Sequence, residues 1–152
     1  MPRIKLHEQS RYEFTYLITI QVGHINYRGH LGHDSIVRIL DEARAHMFHA
    51  LGFGEVDLGD GKTGVIAGDT VVNFKSEGFM YETLRVESHV GEISPRRFRL
   101  FHRITRDGQL VALAEVGLLG FDPNTRAMVP IPETFKEALG QYRRGHSPSR
   151  RT

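Results

Sequence analysis

The alternation of hydrophobic and polar residues predicts a strand near the N-terminus and a long helix after it. Over residues 12–21 every second residue is large and apolar, the pattern of a half-buried strand. Over residues 34–52 apolar residues recur at spacings of three and four, which places them on one helical face. Asp34 or Ser35 is the expected N-cap, and Gly52 the expected C-terminal stop. The strand positions are Tyr12, Phe14, Tyr16, Ile18 and Ile20, and the helix positions are Ile36, Leu40, Ala43, Met47 and Leu51.

The rest of the chain predicts four more strands and a short closing helix. The dipeptide Asp107-Gly108 lies between two of these strands and signals a hairpin turn. Residues 132–140 have the pattern of a helix with proline near its start. The predicted strands are 65–74, 83–93, 97–106 and 110–121. One strand, one long helix and then further strands make an α+β chain, whose antiparallel sheet can bury the helix by curling around it.

The charge of the chain is concentrated near its C-terminus. A chain of 152 residues fits one domain, which we expect at 1–140, followed by a basic, disordered tail at 141–152. Residues 143–152 contain four arginines and no acid, so the remainder has 16 of the 20 basic side chains against 18 acidic ones. The sequence pI of about 9.1 therefore reflects the tail, and we expect no nucleic-acid partner.

Cysteine and long apolar runs are both absent from the sequence. The lack of cysteine excludes disulfides, thiolate metal sites and a cysteine nucleophile. No apolar run is long enough to span a membrane, so we expect no membrane partner. The N-terminal residues have no secretory hydrophobic stretch, and we expect a cytoplasmic protein.

Residues 23–35, GHINYRGHLGHDS, gather histidines and glycines just before the predicted helix. This composition fits a metal site, a phosphate-binding loop or the active-site loop of an enzyme. A metal site is disfavoured because His46 and His49 on the helix are three residues apart and no acid follows at a familiar offset. A phosphate loop is disfavoured because neither GxxxxGK[ST] nor GxGxxG occurs. An active-site loop, with no bound metal, is the favoured interpretation.

The position of Gly29-His30 relative to Asp41-Glu42-Ala43-Arg44 resembles the hotdog-fold thioesterases, specifically the 4-hydroxybenzoyl-CoA thioesterase-like group. The segment 74–87, FKSEGFMYETLRVE, is similar to a later strand signature of that group. The resemblance covers roughly residues 12–135. It implies a curved antiparallel sheet of about five strands wrapped around one long central helix. It also implies acyl-CoA hydrolysis without a cofactor, and a homodimer or homotetramer with the active site between subunits.

The loop departs from the group's pattern where the group often has its catalytic aspartate. Asn26 occupies that position, and His24 replaces the other loop aspartate. An asparagine cannot act as a base or nucleophile, but it can donate a hydrogen bond to a thioester carbonyl or orient water. Asn26 is therefore a candidate catalytic residue with an altered role. The same substitution supports an alternative, a hotdog protein that binds an acyl thioester or a partner without hydrolysing it.

The start of the helix supplies further candidates for catalysis and substrate binding. His30 can act as acid or base near neutral pH, or its ring can simply hold the loop together. Free amides at a helix N-terminus polarise a carbonyl. Gly32 lets the backbone approach a ligand closely. The resemblance assigns the oxyanion donor to the amide near His33.

Three carboxylates and two arginines complete the candidate site. Asp34 lies in the loop and is either a helix cap or a catalytic acid. Glu42 follows a loop histidine by nine residues, the offset of the catalytic carboxylate in another hotdog branch, or it pairs with a helix arginine. Asp69 interrupts an apolar predicted strand, where a buried acid would need a partner such as a helix or loop histidine. Arg96 and Arg97 are candidates, by charge alone, for binding the phosphates of CoA.

Overall fold

The computed structural model describes residues 3–145 and contains one antiparallel sheet, two α-helices and a three-residue 3-10 helix, Val22–His24. The long helix α1 follows the first strand, and the short helix α2 closes the chain. The elements are β1 (Phe14–Thr19), α1 (His33–Ala50), β2 (Gly64–Phe74), β3 (Thr83–Ser94), β4 (Arg97–Arg106), β5 (Gln109–Asp122), β6 (Ala127–Met128) and α2 (Glu133–Arg143). Every strand and helix predicted from the sequence is therefore present. The two-residue strand β6 was not predicted.

The strands pair in the order β1-β3-β4-β5-β2, and β6 pairs with β5. All pairings are antiparallel. The predicted hairpin joins β4 to β5, where Asp107 and Gly108 have φ angles of 49° and 77°. Positive φ at both central residues is the requirement of the tightest hairpin turns. β2 lies at one end of the order, so the structure shows no second strand beside it within residues 3–145.

α1 buries the predicted apolar face against the sheet. Its five predicted core positions are each no more than 5% exposed. They pack in two clusters with residues from all five long strands, which confirms the central helix and surrounding sheet. Gly52 ends the helix with a φ of 87°, as predicted. The N-cap prediction was wrong: Gly32 is the N-cap and makes no side-chain cap, while Asp34 and Ser35 lie inside the first turn.

The motif Asp41-Glu42-Ala43-Arg44 connects α1 to the loop that follows it. The Arg44 guanidinium is 2.6 Å from a carboxylate oxygen of Glu55 and 3.2 Å from one of Asp41. Arg44 is buried, so these pairs compensate its charge away from bulk water. Ala43, the preceding residue, is buried in the close-packed core cluster between α1 and the sheet.

α2 extends three residues beyond its predicted end, and its last turn is held by specific contacts. Tyr142 stacks on Phe14 with ring centroids 4.6 Å apart. Arg143 donates to the Glu13 carboxylate at 2.9 Å and also to the carbonyl of Val90. The boundary expected at residue 141 is therefore wrong, because residues 141–143 are helical and anchored. The rest of the predicted tail, 146–152, lies outside the described residues.

The N-terminal residues cross the face of the sheet opposite α1. The side chain of Asn73 on β2 accepts from the amide of Leu6 at 2.8 Å and donates to the carbonyl of Ile4 at 3.0 Å. Farther along, Tyr12 lies under the guanidinium of Arg103, 4.4 Å from the ring centre. Neither helix in residues 3–145 has the length and apolar character needed to cross a membrane.

Candidate active site

A cleft of about 570 Å³ lies at the N-terminus of α1. One wall is the loop that carries the histidines and glycines, and the other is the end of β2 with the residues that follow it. The lining residues are Asn26, Tyr27, Arg28, His30, Leu31, Gly32, His33, Asp34, Ile36, Phe74, Lys75, Ser76, Glu77 and Gly78. The structure thus brings five predicted site residues together: Asn26, His30, Gly32, His33 and Asp34.

Asn26 organises the loop through both its backbone and its side chain. Its amide donates to the carbonyl of His30 at 2.8 Å, and its carbonyl accepts from Gly29 at 3.0 Å. Its side-chain oxygen accepts from the amides of Arg28 and His30 at 2.9 and 3.3 Å. An aspartate could accept the same bonds, but asparagine also carries a side-chain NH₂. Among the described residues no acceptor binds that NH₂ group, so its N–H bonds are available to a ligand.

Gly32 brings the helix start close to Asn26. Its amide donates to the carbonyl of His24 at 2.9 Å, and a Cβ at this position would lie 3.6 Å from the Asn26 Cβ. The first helical hydrogen bond runs from Ile36 to the Gly32 carbonyl at 3.1 Å. The amides of residues 33–35 therefore have no acceptor within the described chain. These amides, together with the helix dipole, favour a negative charge in the cleft.

His30 faces a carboxylate that the sequence did not reveal. Its Nε2 lies 3.5 Å from a carboxylate oxygen of Glu77, and its ring meets Phe79 edge-on at a centroid distance of 6.0 Å. Glu77 also lines the cleft. Glu77 lies in the segment 74–87 that resembles the group's later strand signature, but that signature gave it no role. Only the packing of the β2–β3 connection against the loop brings it to His30.

The side chain of His33 packs against Phe74, the last residue of β2. The two rings are nearly parallel, with centroids 3.7 Å apart. This contact places the first residue of α1 beside the end of the edge strand. Asp34 is exposed at the cleft and caps no amide, so its carboxylate is open to solvent. The local role expected for Asp34, a helix cap, is therefore wrong.

Glu42 lies outside the cleft of its own chain. A helix rises about 1.5 Å per residue, so Glu42 is about 14 Å along α1 from the helix start. Its carboxylate accepts a hydrogen bond from the Tyr16 hydroxyl at 2.9 Å. Burial, and then this hydrogen bond, raise the pKa of Tyr16. The alternative partners considered for Glu42, the helix arginines, are not the ones that it meets.

Asp69 is exposed on the face of the sheet opposite α1, so the prediction of a buried acid was wrong. A bulge between Ala67 and Asp69 shifts the register of β2 against β5. The Asp69 carboxylate accepts two hydrogen bonds from Arg99, at 2.6 and 2.8 Å. These bonds lower the pKa of Asp69. The partner is a strand arginine and not a helix or loop histidine.

Arg96 and Arg97 are exposed at the turn between β3 and β4. In the sheet register Arg97 pairs with Leu119, which pairs with Ile66 on β2. Phe74 at the cleft is eight residues farther along that strand. At about 3.3 Å per residue, this separates the two arginines from the cleft of the same chain by about 26 Å.

Within residues 3–145 no group of three or more His, Asp or Glu side chains has the geometry to hold a metal ion. The cleft presents amide donors, two imidazoles and two carboxylates, a set suited to polarising a carbonyl and moving a proton.

A long helix packed inside an antiparallel sheet, with a polar cleft at the helix N-terminus, defines a protein of the hotdog class. Residues 20–139 match the model of the thioesterase-like superfamily. The chain belongs to this superfamily. No curated protein matches it in sequence.

Solved structures share this fold at low sequence identity. A hypothetical protein from Staphylococcus aureus, solved in complex with CoA, has a TM-score of 0.79 and 18% identity, covering 95% of this chain and 91% of that chain. A 1,4-dihydroxy-2-naphthoyl-CoA thioesterase from Synechocystis has a TM-score of 0.76 and 17% identity, covering 84% and 95%. A gentisyl-coenzyme A thioesterase has a TM-score of 0.73 and 22% identity, covering 82% and 98%.

Proposed function

We propose that this protein is an acyl-CoA thioesterase that hydrolyses a thioester held at the N-terminus of α1. The observation that carries the proposal is the convergence of unpaired helix amides and the Asn26 side-chain NH₂ on one cleft. Membership of the thioesterase-like superfamily supports the reaction class. Two of the similar structures are CoA thioesterases and a third is a CoA complex, which supports CoA as the carrier of the acyl group. A cytoplasmic location is part of the proposal.

In the proposed reaction a water molecule is the nucleophile and His30 is the base. The water oxygen bonds to the thioester carbon while one water proton moves to the imidazole. The carbonyl electrons move to oxygen, where Asn26 and the helix amides donate hydrogen bonds to the developing charge. The carbonyl then re-forms, the carbon–sulfur bond breaks, and the CoA sulfur takes the proton from His30. The products are a carboxylic acid and CoA, and His30 returns to its neutral form.

Self-association is the second part of the proposal. β2 is an eleven-residue strand with no second neighbouring strand in residues 3–145, although the amide of Val65 near its start donates to the carbonyl of Glu55. An edge strand of this length favours pairing with another chain. Ile66 is 40% exposed and Phe74 is 39% exposed on this strand. Because Phe74 also lines the cleft, a second copy paired along β2 would border the active site. A homodimer is the smallest assembly that covers this edge, and a homotetramer would pair two such dimers.

The phosphates of CoA need cationic side chains at the mouth of the site. Arg28 and Lys75 line the cleft of the same chain. Arg96 and Arg97 stay candidates only through a second copy, because of their distance from the cleft of their own chain. Asp69 is engaged by Arg99, which argues against direct contact with substrate.

Steady-state hydrolysis tests the proposal directly. The purified protein would be assayed with acyl-CoAs of graded chain length and with aromatic acyl-CoAs, by following the release of free thiol. Turnover by the wild type that Asn26→Ala reduces would support the proposal. Binding of CoA thioesters in calorimetry with no hydrolysis above background would instead support the non-catalytic hotdog binder that Asn26 also allows.

A further inference from the structure

We propose that Glu77 is the positioning residue for His30, fixing the tautomer that leaves Nδ1 free to take a proton from water. The inference rests on the proposed thioesterase function and assigns it a residue outside the motifs of the loop and helix. Its basis is the 3.5 Å approach of the Glu77 carboxylate to Nε2 of His30. Both residues line the same cleft.

Nε2 of the imidazole faces the Glu77 carboxylate at 3.5 Å, whereas Nδ1 faces no such group within residues 3–145. A carboxylate accepts hydrogen bonds and cannot donate them when ionised, so Glu77 favours the form of His30 with its proton on Nε2. In that form Nδ1 carries the lone pair. Within residues 3–145 no donor or acceptor binds Nδ1, and the His30 side chain is 25% exposed, so water reaches it. The edge-on contact with Phe79 restricts rotation of the His30 ring and so keeps Nε2 on the side of Glu77.

Glu77 is 60% exposed, but its backbone is held. The guanidinium of Arg106 donates to the Glu77 carbonyl at 2.9 Å and to the Glu82 carboxylate at 3.1 Å. The connection between β2 and β3 is thereby tied to β4. The exposed pair between Glu77 and His30 contributes little to folding stability. A loss of activity in a Glu77 variant would therefore not be explained by a loss of stability.

Among the charged side chains that line the cleft in residues 3–145, Glu77 is the best placed to pair with His30. Glu77 is the carboxylate within ion-pair distance of the ring among the described residues. Asp34 lines the same cleft from α1, but it makes no contact with His30 there. The other ionisable groups lining the cleft are Arg28, His33, Lys75 and the hydroxyl of Tyr27. As the imidazole gains its proton, the Glu77 carboxylate stabilises the positive charge that forms.

Kinetics of matched variants separate positioning from substrate binding and from stability. Glu77→Ala is expected to lower kcat about tenfold with KM unchanged, because only the base is affected. Glu77→Gln keeps an acceptor without the charge and is expected to recover part of this loss. Glu133→Ala is the control, since Glu133 is a 77% exposed carboxylate paired with a lysine on α2. It is expected to keep wild-type kcat. A rise in KM with kcat unchanged, or equal kcat for Glu77→Ala and wild type, would overturn the proposal.

The ring nitrogens of His30 give a readout that does not depend on activity. In ¹⁵N-labelled full-length protein, the His30 signals are assigned by their loss in His30→Ala. The wild type is expected to show the Nε2-protonated form, and Glu77→Ala a mixture of both neutral forms. Identical ring shifts in wild type and Glu77→Ala would overturn the positioning role. Absence of hydrolysis in the wild type would instead overturn the thioesterase function, with the tautomer result unaffected.

Discussion

Ser88 and His102 share a hydrogen bond of 2.8 Å on neighbouring strands in the interior of the protein. His102 is 1% exposed, and its Nε2 has no partner among the described residues. Burial, with a smaller contribution from the charge of Arg44, lowers the pKa of His102 to about 3. The histidine is therefore neutral in the folded protein and takes a proton readily only when the chain unfolds.

This difference predicts a loss of stability in mild acid. In the unfolded chain histidine binds a proton below about pH 6.5, so the free energy of unfolding should fall as pH drops from there toward the folded pKa. Between about pH 7 and pH 5 we expect His102 to account for a loss of roughly 2 kcal/mol. His102→Gln has no titrating ring and should lose correspondingly less over that range. Urea unfolding of both proteins at the two pH values checks this, and parallel losses would contradict it.

The loop contacts of Asn26 predict separate effects on stability and activity. Asn26→Ala leaves two amides without their acceptor, which should lower the free energy of unfolding by about 1–2 kcal/mol. It also removes a donor to the thioester oxygen and should lower kcat about 100-fold. Asn26→Asp keeps the acceptor and should unfold at the same urea concentration as wild type. Wild-type turnover by Asn26→Ala would exclude Asn26 from the oxyanion site.

Because Glu42 is bound to Tyr16 and lies outside the cleft, its removal should have little effect on catalysis. We expect Glu42→Gln to change kcat less than about threefold, and His30→Ala to lower it at least about 100-fold. Tyr16→Phe removes this hydrogen bond, whereas Glu42→Gln keeps an acceptor for the Tyr16 hydroxyl. Tyr16→Phe should therefore lose more stability than Glu42→Gln, while kcat stays close to that of the wild type in both. A loss in Glu42→Gln as large as that of His30→Ala, with Tyr16→Phe active, would mean that Glu42 of a second copy reaches the cleft.

The anchor of α2 predicts a marked dependence of stability on Glu13. Its carboxylate is 7% exposed and lies within 3.1 Å of Arg11, His89 and Arg143. Glu13→Ala should cost about 2–4 kcal/mol, because it leaves the two arginine guanidinium groups without their counter-charge and the His89 ring without its hydrogen-bond partner. Lys136→Ala breaks only an exposed pair on the same helix and should change stability by less than about 0.5 kcal/mol. Equal urea midpoints for Glu13→Ala and Lys136→Ala would show that the cluster is not a stabilising anchor.

The unpaired edge of β2 predicts an assembly that a charge can disrupt. The chain has a mass of 17.3 kDa, and we expect sedimentation to give at least twice this value for the wild type. A charge on an edge strand opposes edge-to-edge pairing, so Ile66→Glu should shift the population toward monomer. Leu17→Glu is the control, since Leu17 is 59% exposed on β1, at the opposite end of the strand order from β2. Monomeric wild-type protein at micromolar concentration would contradict the proposed dimer.

The strands and helices could be predicted from the sequence because buried residues recur at every second position along a strand and at every third or fourth position along a helix. Leu40 and Met47 on α1 are buried where the spacing placed them. The partner of Asp69 could not be read, because Arg99 meets it only through the pairing of β4 and β2 with β5 and through a bulge. For the same reason the contact of Glu77 with His30 could not be predicted. It depends on how two loops pack, and the resemblance of segments 23–35 and 74–87 to the group does not specify that packing.

Two consecutive residues of the edge strand, Asn73 and Phe74, make contacts on opposite faces of the sheet. The side-chain amide of Asn73 donates one hydrogen bond and accepts one, as a peptide group of a neighbouring strand would. These two hydrogen bonds fix residues 4–6 opposite Asn73, and the segment cannot shift along β2 without breaking them. The next residue, Phe74, forms part of the cleft wall against His33. Any shift of β2 that moved the wall would also have to release the N-terminal segment on the opposite face.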